Sequence, residues 1–214
     1  MKRTLQKLCS TLLALIMLVG VVPSGILTVR AESAPLQSPY WDFTDMTKET
    51  LLKDWSIRNE DPDTWELNSN GLTFGACSGD LSWAATYQNM FQTALMGDCI
   101  ADVRVTLSSY WKQQDAGFNF AIWQDDSNFI KLAYQNVFTG RIWLEAFSGG
   151  VQKETATSGD HNQSYTATDV YFRVRKVSNT YSFYYSSDGD DYTKIGNDLT
   201  YAFSDPKIVS RNFC

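Results

Sequence analysis

Side chains able to do chemistry are few in this sequence, and the acids come first. Asp125 and Asp126 stand together in QDDSNFIKLAYQN, followed by Ser127, Asn128 and an alternating apolar run. Glu145 lies inside a second alternating run, RIWLEAF. Two carboxyls facing each other at about 5 to 5.5 Å, or about 6.5 to 9.5 Å, would cleave a glycosidic bond with retention or inversion. Glu145 with Asp126 or Asp125 is the best pairing on offer, but nothing in the spacing forces them together. No E-x-D-x-x-E strand sets paired acids on one face. Glu145 and Asp126 are therefore the catalytic candidates of a minor reading, hydrolysis. DDSN, with DGDD at 188–191, also offers hard oxygen ligands, so Asp125 and Asp126 are the candidates for calcium. Neither loop has the longer ligand spacing of a calcium loop, and Asp, Asn, Ser and Asp-Gly are the residues a hairpin corner needs. The expectation is a structural turn and no cofactor, with calcium as the alternative.

Other catalytic arrangements are weaker still. His161 is the single histidine and lies in SGDHNQS, a polar loop where solvent exposure is the ordinary outcome. No G-x-S-x-G elbow accompanies it, and neither H-E-x-x-H nor a cysteine-histidine zinc spacing occurs.

The elements that must hold these residues alternate with period two. Val103, Val105 and Leu107 share one side of ADVRVTL, and Phe118, Phe120 and Ile122 share one side of GFNFAIW. The pattern returns in FIKLAY (Ile130, Leu132, Tyr134), RIWLEAF (Ile142, Leu144, Ala146), VYFRVRK (Val170, Phe172, Val174) and YSFYY (Tyr181, Phe183, Tyr185). Each reads as a strand half buried against a core. Turn signals between them are short: DDSN, FTG at 138–140, SGG at 148–150, SNT at 178–180 and DGDD. Such brief links make neighbouring strands antiparallel, because parallel neighbours need a long crossover. Apart from a possible helical turn near Asp45 to Leu52, no segment after the leader holds a helical period. The expected fold is an all-β, antiparallel two-sheet β-sandwich.

Alternation also names the side chains that point away from the core. These are Arg104, Asn119, Trp123, Arg141, Trp143, Glu145, Tyr171, Arg173 and Tyr184. Aromatic rings among Arg, Asn and Glu suit a pyranose, which offers C–H faces for stacking and hydroxyls for paired hydrogen bonds. Trp123, Arg141, Trp143, Glu145, Arg173 and Tyr184 are the carbohydrate-binding candidates. The competing reading is that the tryptophans extend the core, since Trp is usually well buried.

Residues 1–31 stand apart. Lys2, Arg3 and Lys7 precede the apolar run TLLALIMLVGVV, then Pro23, Ser24 and Gly25 break it, and Val29, Arg30 and Ala31 form a small-x-small cleavage site. That is a secretory signal peptide, shorter than the ~20 residues that span a bilayer, so the expectation is a secreted chain with no membrane attachment after processing. Its removal takes four positive charges and no acids, changing the net charge from −6 to −10. An acidic surface repels phosphate backbones and excludes nucleic acid as a partner, while neutral sugars meet no such objection. Residues 32–214 fit one domain. Three cysteines remain in it; Cys77 and Cys99 could close a disulfide in an oxidising compartment, leaving Cys214 over, and a buried free thiol pair is the alternative.

FTD near residue 43, GLTFGACSGDL, YQNMFQTA, AGFNFAIWQDDSNFIKL and VYFRVRKVSNTYSFYYSSDGDDYTKIG, in that order, resemble a concanavalin A-like β-sandwich (jelly-roll) module. The domain resembled is the one at the C-terminus of family 43 β-xylosidases, and the similarity spans most of residues 41 to 208. Such modules are usually accessories to a separate catalytic propeller, packing on it or binding saccharide. The resemblance therefore implies a noncatalytic carbohydrate-binding or glycosidase-accessory role, with a saccharide or polysaccharide and an unlinked glycosidase domain as partners. The alternatives are a glycoside hydrolase acting on plant-type saccharides, and a structural or adhesion module or truncated remnant. One departure stands out: relatives continue past the segment matching DPKI into a further apolar strand, whereas DPKIVSRNFC stops at Cys214. Either the chain is a fragment truncated at its C-terminus, or its reading frame is disturbed near Val209, or the last strand is dispensed with; a missing strand would leave an open sheet edge that invites association.

Overall fold

The computed structural model describes residues 41–75, 81, 87–95, 97–106, 117–135, 140–154 and 161–213, with side chains as far as Arg211. The leader, Cys77, Leu107, most of the FTG turn and Cys214 lie outside the described residues. In chain order, helix α1 (Lys48–Asp54) precedes β1 (Ser56–Arg58), β2 (Trp65–Asn68), β3 (Gly71–Phe74), β4 (Met90–Ala94) and β5 (Cys99–Thr106). There follow β6 (Gly117–Asp125), β7 (Asn128–Gln135), β8 (Arg141–Ser148), β9 (Val151–Glu154) and β10 (Asn162–Ser164). The chain ends with β11 (Asp169–Val177), β12 (Thr180–Ser186), β13 (Thr193–Thr200) and β14 (Lys207–Phe213).

Two sheets carry the sandwich. The larger has eight strands in the order β1-β4-β14-β6-β7-β8-β10, with β9 also on β8, and the smaller has four in the order β13-β12-β11-β5. Every pairing in them is antiparallel, as the short links require. Phe118, Phe120, Ile122, Ile130, Leu132, Tyr134, Ile142 and Leu144 from the larger sheet meet Val170, Phe172, Val174, Tyr181, Phe183 and Ile195 from the smaller in one core. These are the inward positions of the alternating runs. Tyr134 and Tyr165 stand edge to face in it, with ring centroids 5.3 Å apart, a geometry that aligns ring edge with ring face.

The C-terminal segment Lys207–Phe213 forms β14, which lies in the middle of the larger sheet, bonded to β4 on one side and β6 on the other. Ile208 faces the core and Val209 the opposite side. One expectation needs correction here: β6 to β8 are not half buried, since both of their faces are covered. On the side away from the core, Leu81, Tyr87, Met90, Ala121, Trp123, Phe129 and Val209 form a second apolar cluster. A third joins α1 to the β2–β3 hairpin through Leu51, Trp55, Trp65 and Phe91.

Local chemistry sets the ends of these elements. Thr47 and Thr50 cap α1 reciprocally, each side chain accepting from the other's backbone N–H at 3.2 and 2.9 Å. Gly140, before β8, has φ +54, and a Cβ there would lie 1.9 Å from the Tyr165 carbonyl oxygen, so only glycine fits. No helix among the described residues is long and apolar enough to cross a membrane.

Candidate functional site

Directly opposed residues of antiparallel strands share a face, so the register defines rows across the outer side of the larger sheet. One row runs Arg211, Asn119, Ala133, Trp143; the next runs Val209, Ala121, Lys131, Glu145; a third runs Lys207, Trp123, Phe129, Phe147. At its centre Lys131 Nζ meets Glu145 Oε2 at 2.9 Å, the two side chains only 1% and 9% exposed. Gln152 donates to the other Glu145 oxygen at 3.2 Å. The Trp143 ring lies between cations, 4.6 Å from the Arg141 guanidinium and 5.7 Å from Lys131. Asn119 and Arg211 are wholly buried in the adjoining row.

At one end of this face the DDSN corner answers to turn chemistry. Asp125 and Asn128 close the β6–β7 hairpin, and Asp126 and Ser127 make its two-residue turn. The Asp125 carboxylate accepts from the Gln124 side chain, the Ser127 N–H and the Asn128 amide, each at 2.8 Å. These bonds, Gln124 first, hold the carboxyl below its ordinary range. Among the described residues no three His, Cys, Asp or Glu side chains group together. Asp126 turns to the outer face, where it accepts from the Tyr87 hydroxyl at 2.6 Å and pairs with Arg58 at 3.3 Å. Burial first, then the bond to Asp126, pushes the Tyr87 phenol well above its usual value. Arg58 also lies 5.1 Å over Trp123, and Arg211 5.4 Å over Tyr87.

The carboxyls nominated for hydrolysis belong to different strand pairs: Glu145 stands opposite Lys131 in β7–β8, while Asp126 is in the β6–β7 turn. Each is engaged by its own neighbours, Glu145 by Lys131 and Gln152 and Asp126 by Tyr87 and Arg58.

The six residues proposed for carbohydrate divide between opposite sides of the sandwich. Trp123, Arg141, Trp143 and Glu145 lie on the outer face of the larger sheet; Arg173 and Tyr184 lie on the outer face of the smaller, paired with each other across β11 and β12. There Asp102, Arg173, Tyr184 and Lys194 form one row. Arg173 grips Asp102 through two bonds of 2.8 and 2.7 Å, which, ahead of burial, raise its already high pKa. Both outward tryptophans are covered: Trp123, 6% exposed, packs within the second apolar cluster, and Trp143, 5% exposed, packs against Ala133.

One further reading changes. His161 is buried, its Nε2 3.4 Å from Glu154, against Gly196, where a Cβ would meet the imidazole at 2.6 Å. Its loop position gave no sign of this packing. Cys99 is a buried free thiol, and burial pushes it up; the pairing with Cys77 stays an expectation. Cys99 begins β5 opposite Lys176, facing the sandwich core, while Cys77 is outside the described residues. Sequence reasoning missed Lys131 and Arg211, although both stand at outward positions of apolar runs, the signal that nominated Glu145. Arg58 and Tyr87 carry no such signal.

Two antiparallel sheets around one core define a concanavalin A-like β-sandwich. The chain belongs to the beta xylosidase C-terminal concanavalin A-like domain family, whose model matches residues 43–214. Among solved structures it is similar to the GH43 protein BlXynB of Bacillus licheniformis, at 20% identity and TM-score 0.63, over 84% of this chain and 37% of that one. It is similar also to a xylan beta-1,4-xylosidase of Bacillus halodurans, at 15% identity and TM-score 0.63, over 83% and 36% of the two chains. A functionally unknown protein of Saccharomyces cerevisiae matches at 15% identity and TM-score 0.56, over 74% of this chain and 85% of that one. The chain thus spans little more than a third of the length of the xylosidases it matches. No curated protein matches it.

Proposed function

We propose that this is a secreted, noncatalytic module that contacts saccharide through the outer face of its larger sheet, alone or beside a glycosidase. What carries the reading is membership of a family of xylosidase C-terminal domains, with the exposed Arg141 guanidinium at the rim of this face, 4.6 Å over Trp143; the Trp143–Lys131–Glu145 row beneath it is buried and holds that rim in place. A guanidinium fixed over a ring can hydrogen-bond a sugar's hydroxyls. The family membership supports the saccharide class.

A glycan array read beside a reducing-sugar assay on the full chain tests this. Binding without release is expected, weakened roughly tenfold by Trp143→Ala and also by the exposed Arg141→Ala, which leaves the melting curve in place. Release of reducing sugar, abolished by Glu145→Gln, would replace the reading with a hydrolase. Silence in both assays would replace it with a structural or adhesion role.

A further inference from the structure

The outer face of the smaller sheet differs from the one just described in being open and fully described. Tyr171, Tyr184 and Tyr192 are half-buried there, each with part of its surface in solvent. The register sets Tyr184 beside Arg173 and Tyr171 beside Arg104, which puts the first two tyrosines on a diagonal of neighbouring strands, about 7 to 8 Å apart. Tyr192 is stacked on Arg173, guanidinium to ring centroid 3.7 Å, and Asp102 clamps the same guanidinium from the other side through its two bonds. Tyr171 is pinned as well: a Cβ on Gly189 of the DGDD turn would come within 3.0 Å of its ring. The rings are therefore ordered before any ligand arrives, which lowers the entropy lost on binding.

Charge on this face selects the occupant. Three of its cations are paired: Arg173 to Asp102, Arg104 to Asp169 at 3.2 Å, and Lys194 to Asp198 at 2.7 Å. Arg175, exposed on the same face, adds a fourth near Asp198. The adjoining turn adds Asp188, Asp190 and Asp191, so acids outnumber cations and an anion meets a net negative surface. A second protein surface would look for apolar area, but the exposed large hydrophobics among the described residues are Leu52 and Val151, neither of them on this sheet. What remains complementary is an uncharged ligand with flat C–H faces for rings and hydroxyls for phenols, Asp102 and Lys194.

We infer that the outer face of the four-stranded sheet is a second saccharide surface, which takes an uncharged glycan chain across Tyr171, Tyr184 and Tyr192. The inference rests on the saccharide-binding reading above and adds a site on the opposite side of the sandwich, so that one module can touch two chains.

Amide chemical-shift mapping of the full chain, titrated with cellohexaose, xylohexaose and an oligogalacturonate, tests it. The expected result is saturable shifts over β11 to β13 with a neutral hexasaccharide and none with the oligogalacturonate. A Tyr184→Ala/Tyr192→Ala variant should lose roughly tenfold or more in affinity for that set of shifts, with its melting curve and the shifts at β6 to β8 unchanged. Shifts confined to β6 to β8 would overturn this inference and leave the first reading standing. Shifts over β11 to β13 with the oligogalacturonate alone, or unaltered by the double variant, would overturn it too. An absence of shifts anywhere would remove both readings.

Discussion

On one outer face of the sandwich Lys131 meets Glu145 at 2.9 Å with the side chains 1% and 9% exposed; on the other, Arg173 meets Asp102 at 2.7 Å with 31% and 39% exposed. The distances are alike and the surroundings are not. Water screens the second pair and solvates either partner left alone, so its contribution is small. The first pair is cut off from water, where two charges are each desolvated at a cost of several kcal/mol and hold only because they meet. A sandwich that needed only stability could have placed apolar side chains in that row, as it does at Val209 and Ala121 beside them. The contrast teaches that two ion pairs of like length differ in energy by how dry their surroundings are, and that an open face can still be preordered when an arginine is bonded to an acid and stacked on a ring.

Removing one member of the dry pair should have the largest effect. Glu145→Ala leaves Lys131 charged and buried and should lower unfolding stability by about 3 to 5 kcal/mol in urea melts. The joint change Lys131→Met with Glu145→Leu, which leaves no charge in the row, should recover most of that loss. If the single and joint variants fell equally, the pair would be a packing feature and the contrast between the faces would dissolve.

The layer between the faces gives a titration of intermediate size. Burial raises Tyr165 and Tyr181 to about 12, while an unfolded chain ionises its phenols near pH 10. The folded state therefore holds more protons in the interval between. The stabilisation is complete below pH 10 and is lost as pH rises through 12, on the order of 2 kcal/mol for the wholly buried Tyr181. Absorbance of tyrosinate at alkaline pH, followed alongside unfolding, should show those two phenols ionising late and cooperatively with loss of structure. Early, independent ionisation would mean that water reaches the core.

The open face should give the smallest response. Asp102→Ala removes an exposed, bidentate partner of Arg173 and should cost only about 0.2 to 1 kcal/mol, shrinking further at 1 M salt. A loss as large as that of Glu145→Ala would show that the Arg173–Tyr192 stack is structural and would weaken the case for a ligand surface there.

Some of this was legible beforehand. The side of each strand that meets the core followed from period two, because successive side chains of an extended backbone point to opposite faces. Phe118, Phe120 and Ile122 therefore separated cleanly from Asn119, Ala121 and Trp123 before any fold was known. DDSN was readable as a corner, since Asp and Asn satisfy turn backbones through bonds to near neighbours such as those of Asp125 with Ser127 and Asn128. These are local consequences of covalent geometry and short-range hydrogen bonding. Tertiary structure alone decided that Trp143 is covered, that Glu145 meets Lys131 from a different strand, that Arg173 lies on the opposite side of the molecule from Trp123, that Cys99 is buried, and that IVSRNF fills the middle of a sheet. Those outcomes depend on which distant segments lie over a face or beside an edge, and an alternating pattern carries the same information whether its outward side ends in water or beneath another part of the chain.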